Sequence, residues 1–186
     1  MKMEKFKFTE TKIKGVYVIE PTVFGDSRGY FVETYNEQDF KAAGLNYTFV
    51  QDNQSASTKG VLRGLHFQKK HPQGKLVSVV EGQVFDVAVD LRTSSPTFGN
   101  WHGVTLSAEK HNMFYVPEGF AHGFVVISPS ATFCYKCTDV YHPEDEDGIR
   151  WNDPTVAVKW PELKSEPLLS AKDTASAFFD KNKKYF

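Results

Sequence analysis

Apolar and polar residues alternate with a period of two along much of this chain, the pattern of half-buried β-strands. Gly15 to Glu20 and Gly29 to Tyr35 alternate and are rich in β-forming residues. Lys75 to Val80, a Glu81-Gly82 turn and Gln83 to Leu91 predict a hairpin. In its second arm Phe85, Val87 and Val89 share one face, and Asp86, Ala88 and Asp90 share the other. Trp101 to Leu106, Asn112 to Val116, Gly123 to Ile127 and Thr132 to Val140 predict further strands. Many short strands punctuated by Gly and Pro predict an all-β sandwich, jelly roll or barrel. Two short helices interrupt the pattern. Asn36 is placed to cap Glu37 to Ala43, with Gly44 as the stop, and Ser170 to begin a helix from Ala171 to Phe179. With no repeat, low-complexity tract or linker, residues 1–186 are expected to form one domain.

Composition narrows the classes. A chain of 186 residues can build a sizeable core without disulfides or structural metal. The net charge of −1 argues against nucleic acid as a partner, since phosphate-backbone binders carry a basic excess. The opening MKMEKFKFTETKIKG has no apolar stretch of signal-peptide type, and no run is long enough to span a bilayer. No membrane association is expected, and a cytoplasmic protein is. Cys134 and Cys137 form a C-x-x-C, but residues three apart on a strand face opposite sides. They read as strand residues, not as a redox pair or zinc site.

The stretch Gly60 to Gly82, GVLRGLHFQKKHPQGKLVSVVEG, joins strand signals to basic side chains that a solvated surface does not need. Arg63 and His66 interrupt an apolar run, and Lys75 opens a β-branched one. A guanidinium, an imidazole and an ammonium converging in a β-framework suit an anionic ligand and proton transfer. Arg63 and His66 have opposite parity on a regular strand. Both enter one pocket only if the backbone bulges, which Gly64 permits.

Val116 to Phe124 contains P-x-G-x-x-H-x-F, which resembles the second motif of cupins, jelly rolls also described as double-stranded β-helices. Metal-binding cupins pair it with an H-x-H motif. Here the corresponding region offers only His66 and, four residues intervening, His71, so no metal is expected. His122 is then either a core histidine bonded to backbone or a member of the site.

FGDSRGYFVETY, QDNQSAS, GVLRGLHFQ, QGKLVSVVEGQVFDVAVDLR, SPTFGNW, PEGFAHGF and LLSAKD, in that order from Phe24 to Asp173, resemble the dTDP-4-dehydrorhamnose 3,5-epimerase family. The resemblance implies an all-β, cupin-type jelly roll with a few short flanking helices. It implies a homodimeric isomerase without cofactor or metal, acting on a dTDP-linked 4-keto-6-deoxyhexose in dTDP-L-rhamnose biosynthesis. Inversion beside a ketone needs a base on one face of the sugar, an acid on the other, and a cation at the oxygen where enolate charge collects. The family's positions fall on His66 as base, Tyr135 as acid and Lys75 near the keto oxygen. Tyr135 alone would read as a core aromatic. Asp173 falls on the carboxylate that orients the base, although Ser170-Ala171-Lys172-Asp173 also has the spacing of a helix capping box. Arg28, Arg63 and Lys172 fall on positions that hold the diphosphate or nucleotide, and Glu33, Gln51, Asn53, His122 and Glu146 on other substrate contacts. Glu146 lies in the acidic run Glu144 to Asp147 and competes with a solvated loop. An epimerase inverting C3 alone, a ketoisomerase of similar fold and a non-catalytic sugar-binding cupin are the competing functions.

Overall fold

In the computed structural model, which describes residues 4–186, the alternating segments are strands. They are β1 (Phe6–Glu10), β2 (Tyr17–Pro21), β3 (Val23–Asp26), β4 (Gly29–Val32), β5 (Gln51–Thr58), β6 (Leu62–Gln68), β7 (Lys75–Asp90), β8 (Trp101–Ser107), β9 (Met113–Val116), β10 (Phe120–Cys137) and β11 (Glu146–Gly148). Helix α1 (Glu37–Ala42) begins where expected. The Asn36 side chain accepts from the amides of Gln38 and Asp39, and Gly44 follows with φ +87°. Helix α2 (Ala171–Ala175) stops short of the predicted Phe179, because Ala177 leaves to form a parallel bridge with Ile149 and Phe179 is drawn into the core.

Two long strands organise the sheet, and both differ from the sequence expectation. The predicted hairpin at Glu81-Gly82 is absent: β7 runs straight through, with Gly82 in a left-handed conformation, φ +74°. The two strands expected between Gly123 and Val140 are likewise one strand, β10. The physical reason is shared. β10 pairs antiparallel with β7 from Phe120↔Asp90 to Cys137↔Lys75, and its residues between Val126 and Ala131 bulge out of the ladder opposite Gly82. A local turn signal yields to long-range pairing on both sides of it.

The long strands also change neighbours halfway. β7 pairs β9 through Lys75 to Ser78 and β8 through Gln83 to Val89. β10 pairs β6 through His122 to Val125 and β5 through Ser130 to Cys137. Two layers result, β1-β2-β9-β7-β10-β5 and β8-β7-β10-β6-β11, both built on β7 and β10: the cupin-type jelly roll. Between the layers lies a core of Val77, Val79, Val84, Ala88, Phe114, Phe124 and Phe133. The opposite face of β6 and β7 is covered by the C-terminal segment, with Leu65, Phe67, Val87 and Val89 packed against Phe179 and Tyr185. The hairpin β3–β4 stands apart as its own two-stranded sheet, with Tyr30 65% and Phe31 69% exposed. Among the described residues no helix is long and apolar enough to cross a membrane.

Candidate active site

The bulge that Gly64 permits is present. His122 of β10 pairs with His66, and Phe124 pairs with Arg63, so β6 carries one residue more than its partner. Gly64 has φ +127°, and a Cβ there would lie 2.5 Å from the Gly123 Cα. Two facing glycines let the backbones meet, and Arg63 and His66 turn to the same side. They line a cavity of about 530 Å³ whose wall also includes Ser55, Lys75, His122, Phe133, Tyr135, Glu146, Lys172 and Asp173. That volume is in the range of small-molecule sites. An adjoining cleft of about 280 Å³ shares His66, Lys75, Tyr135, Tyr141 and Glu146, and adds Gln51 and Asn53.

Carboxylates flank His66 on both sides, and one of them bonds it. Its Nε2 lies 2.5 Å from Asp173 Oδ1, and its Nδ1 lies 3.7 Å from Glu146 Oε1, beyond hydrogen-bond reach. Asp173 also caps α2, so the two readings of this residue are both true, one oxygen each. Oδ1 faces His66 and the Gly64 amide at 3.3 Å, while Oδ2 accepts from the Ser170 hydroxyl at 2.6 Å. Asp173 is only 2% exposed. Burial alone raises such a carboxyl, but the bonds from His66, Ser170 and Gly64 outweigh it and bring Asp173 down to about 2. With Asp173 ionised, the shared proton is assigned to Nε2, which leaves the Nδ1 lone pair of a neutral His66 free.

Lys75 opens β7 and Tyr135 lies on β10, both reaching the cavity. Burial pushes the Lys75 ammonium below its ordinary value and the Tyr135 hydroxyl above its own. Among the described residues no side-chain hydrogen bond holds either group. The phenol is therefore protonated at neutral pH and available to donate. Glu146 is not in a solvated loop: it opens β11, pairs across from Gln68, and its carboxylate accepts from the Tyr141 hydroxyl and ion-pairs with Lys172. Burial raises the Glu146 carboxyl, yet Lys172 and Tyr141 leave it lowered, while Tyr141 is pushed up to about 12.

His122 bonds to a carboxylate and not to backbone. Its Nε2 lies 2.8 and 3.0 Å from the oxygens of Asp86, and its ring stacks on Phe133. Asp86 is fully buried, and burial pushes its carboxyl up. Arg63 donates from Nε and Nη2 to Ser57 Oγ, 3.2 Å each. Gln51 donates to Asn53 at 2.9 Å, and Asn53 donates to the Cys137 sulfur at 3.6 Å. Cys134 and Cys137 are both free thiols.

Two expected site residues are elsewhere in this chain. Arg28 sits at the tip of β3–β4, its side chain 87% exposed and its guanidinium on Asp26. Glu33 accepts from Lys5 at 2.8 Å and Asn36 at 3.1 Å. Neither lines the cavity, because the segment that carries them forms a hairpin outside the main sheet. Lys172 does line it, with its ammonium engaged by Glu146. Conversely, Asp86, Ser57 and Ser170 bond to residues of the constellation although the sequence placed none of them at the site. An acidic residue on an otherwise apolar, doubly buried strand was the available signal for Asp86. Among the described residues no group of three His, Cys, Asp or Glu side chains is arranged to hold a metal ion.

A family model described as dTDP-4-dehydrorhamnose 3,5-epimerase matches residues 10–181. A protein of that name from Methanothermobacter thermautotrophicus is 53% identical over 172 residues, covering 92% of this chain and 93% of its own. Among solved structures, the dTDP-4-dehydrorhamnose 3,5-epimerase of Elizabethkingia anophelis superposes with a TM-score of 0.91 at 53% identity, over 97% of this chain and 100% of that one. A dTDP-6-deoxy-D-glucose-3,5-epimerase from Legionella pneumophila, solved in complex with dTDP-4-keto-L-rhamnose, gives 0.90 at 51% identity, over 93% and 92%.

Proposed function

The chain belongs to the dTDP-4-dehydrorhamnose 3,5-epimerase family, a family of isomerases, and from that premise we propose how its own residues invert C3 and C5 of a dTDP-linked 4-keto-6-deoxyhexose. The observation that carries the reading is the convergence, in one cavity, of a carboxylate-backed imidazole, an unpaired ammonium and a protonated phenol. The hydrogens on C3 and C5 are acidified by the C4 ketone between them. His66 Nδ1 takes one of these protons, and the electron pair left on carbon delocalises to the ketone oxygen as an enolate. Lys75 meets the charge there, a role whose removal typically costs ~2.7–4 kcal/mol of barrier. Tyr135 returns a proton to the opposite face of the carbon, which inverts it. The protonated His66 and the deprotonated Tyr135 exchange protons with solvent before the second centre reacts.

Arg63, with donors left over from Ser57, suits the diphosphate, and Lys172 supplies a second positive charge at the cavity wall. Gln51, Asn53, His122 and Glu146 line the same continuous space and serve as substrate contacts. No cofactor or metal takes part in this scheme, so activity is expected to survive exhaustive chelation. Loss with EDTA and recovery with one metal would overturn that.

We take the protein to be a single-domain homodimer working in the cytoplasm. Two features support the dimer. β1 is a sheet edge with one side unpaired, and β3–β4 exposes Phe24, Tyr30 and Phe31 beside Arg28. A second copy that covers this hairpin would receive Arg28 and Glu33, which accounts for site motifs on a segment remote from its own cavity. A monomer by light scattering at micromolar concentration would count against it.

The test of the reaction is exchange of the substrate's C3 and C5 hydrogens with deuterated solvent. Exchange and inversion at both carbons support the 3,5-epimerase; exchange at C3 alone makes this a C3 epimerase, and none at either removes the reading.

A further inference from the structure

We propose that Ser170 is a positioning residue for the reaction, holding Asp173 in the one orientation that backs His66. This rests on the reading of His66 as the base. The hydroxyl of Ser170 has its direction fixed by its neighbours. Its oxygen accepts from the Asp173 amide at 3.1 Å, so its hydrogen is free to go to Asp173 Oδ2, 2.6 Å away. The Ser170 amide adds a longer contact to the same oxygen at 3.4 Å. Oδ1 is thereby turned to His66 and the Gly64 amide. The Ser170 side chain is a cap by type, and the helix it caps has five residues. What the bond does control is the torsion and the charge of a carboxylate that is almost wholly out of water. Without it, Oδ2 is a buried anionic oxygen with one long backbone contact, and the torsion of the carboxylate against the imidazole is no longer fixed.

Other charged and titratable groups surround this pair. Glu146 comes from β11, Lys172 from α2, Arg63 from β6, Lys75 from β7, His122 and Tyr135 from β10, and Tyr141 from the segment before β11. Ser170 is the only side chain besides His66 bonded to Asp173 among the described residues. Loss of its donor makes the carboxylate a stronger acceptor, so the His66–Asp173 pair holds its proton more tightly.

Ser170→Ala is expected to lower kcat on the order of 10- to 100-fold, the worth of one hydrogen bond to a charged group, with KM little changed. The acidic limb of its pH–rate profile is expected to move to higher pH, which loss of a helix cap alone does not cause. Ser170→Thr keeps the hydroxyl and restores both. Ser170→Gly keeps a good N-cap without the hydroxyl, so it tests the same point in a protein that still folds if the alanine variant does not. Wild-type kcat and an unmoved limb in Ser170→Gly, or equal damage in the threonine and glycine variants, overturns the proposal. Deuterium exchange separates this from failure of the parent reading. If His66→Asn is inactive while Ser170→Gly is normal, only the role of Ser170 falls; if His66→Asn still exchanges, the base assignment falls with it.

Discussion

Two histidine–carboxylate pairs face the same cavity, and their surroundings are opposite. Asp173 stands at the start of a short helix, where the Gly64 amide and the Ser170 hydroxyl join His66 in stabilising its charge. Asp86 stands in the middle of β7, where the flanking amides are committed to the ladders with β8 and β10, and among the described residues only His122 bonds its carboxylate. One carboxyl is therefore driven down to about 2 and the other is pushed up. An ionised carboxylate holds its imidazole in one tautomer and orientation and raises the basicity of the far nitrogen. One that resists ionisation makes a shared-proton contact suited to shape and to substrate binding. Identical residue types acquire different work from the donors around them.

The sharpest way to break this comparison is to exchange the imidazoles for amides. His66→Asn is expected to abolish turnover, by ~10²–10⁴-fold or more in keeping with loss of a general base, while leaving the fold. His122→Asn should cost far less in kcat and act mainly on KM. Equal losses, read by deuterium exchange at C3 and C5, would erase the distinction between the pairs.

Next in size is Tyr135→Phe, which removes only the hydroxyl proposed to protonate the opposite face of the sugar. Proton abstraction should persist while yield of the inverted product falls sharply. Unchanged inversion returns Tyr135 to a packing role beside Phe133.

Binding and rate should separate at Arg63 and Lys75. Arg63→Ala is expected to weaken dTDP itself in calorimetry, because that ligand carries the diphosphate but no ketone. Lys75→Ala should leave dTDP binding nearly intact and lower kcat. If Arg63→Ala binds dTDP like wild type, the diphosphate lies elsewhere.

The smallest effects concern stability, and here the two carboxylates should have opposite signs. Asp173 is lowered from 3.8 to about 2, so its stabilisation is complete above the higher value and is lost as pH falls through that window. Asp173→Asn should lower Tm at pH 7 and flatten the acid slope between those values. Asp86 is raised, so the folded state disfavours its charge and stability falls as pH rises through its titration. Asp86→Asn should keep or raise Tm at pH 7. A large loss there would mean that the Asp86–His122 pair is held as a full ion pair.

Much of this arrangement was legible before the structure. The all-β class followed from period-two alternation, α1 from Asn36 and Gly44, and the bulge from the parity conflict between Arg63 and His66. Long-range pairing hid the rest. Glu81-Gly82 carries a local turn signal, and only β10 lying alongside decides that β7 continues. Phe178 and Phe179 extend a helical reading that ends because Ala177 bridges to Ile149. Asp86 was placed on its correct face, yet its partner His122 lies 36 residues away and no local pattern links them. Arg28 and Glu33 were singled out by motif, whereas their distance from the cavity is a matter of topology.

The pairing of His66 with Asp173 spans 107 residues, from an early strand to a helix near the end of the chain. At a synthesis rate of about 5–20 residues per second, on the order of 5–20 s pass between the appearance of His66 and that of Asp173. Throughout that interval the strands that β6 pairs with, β10 and β11, are still being added, and His66 lacks the carboxylate that backs it. Under the proposed mechanism, full turnover requires a chain synthesised as far as α2.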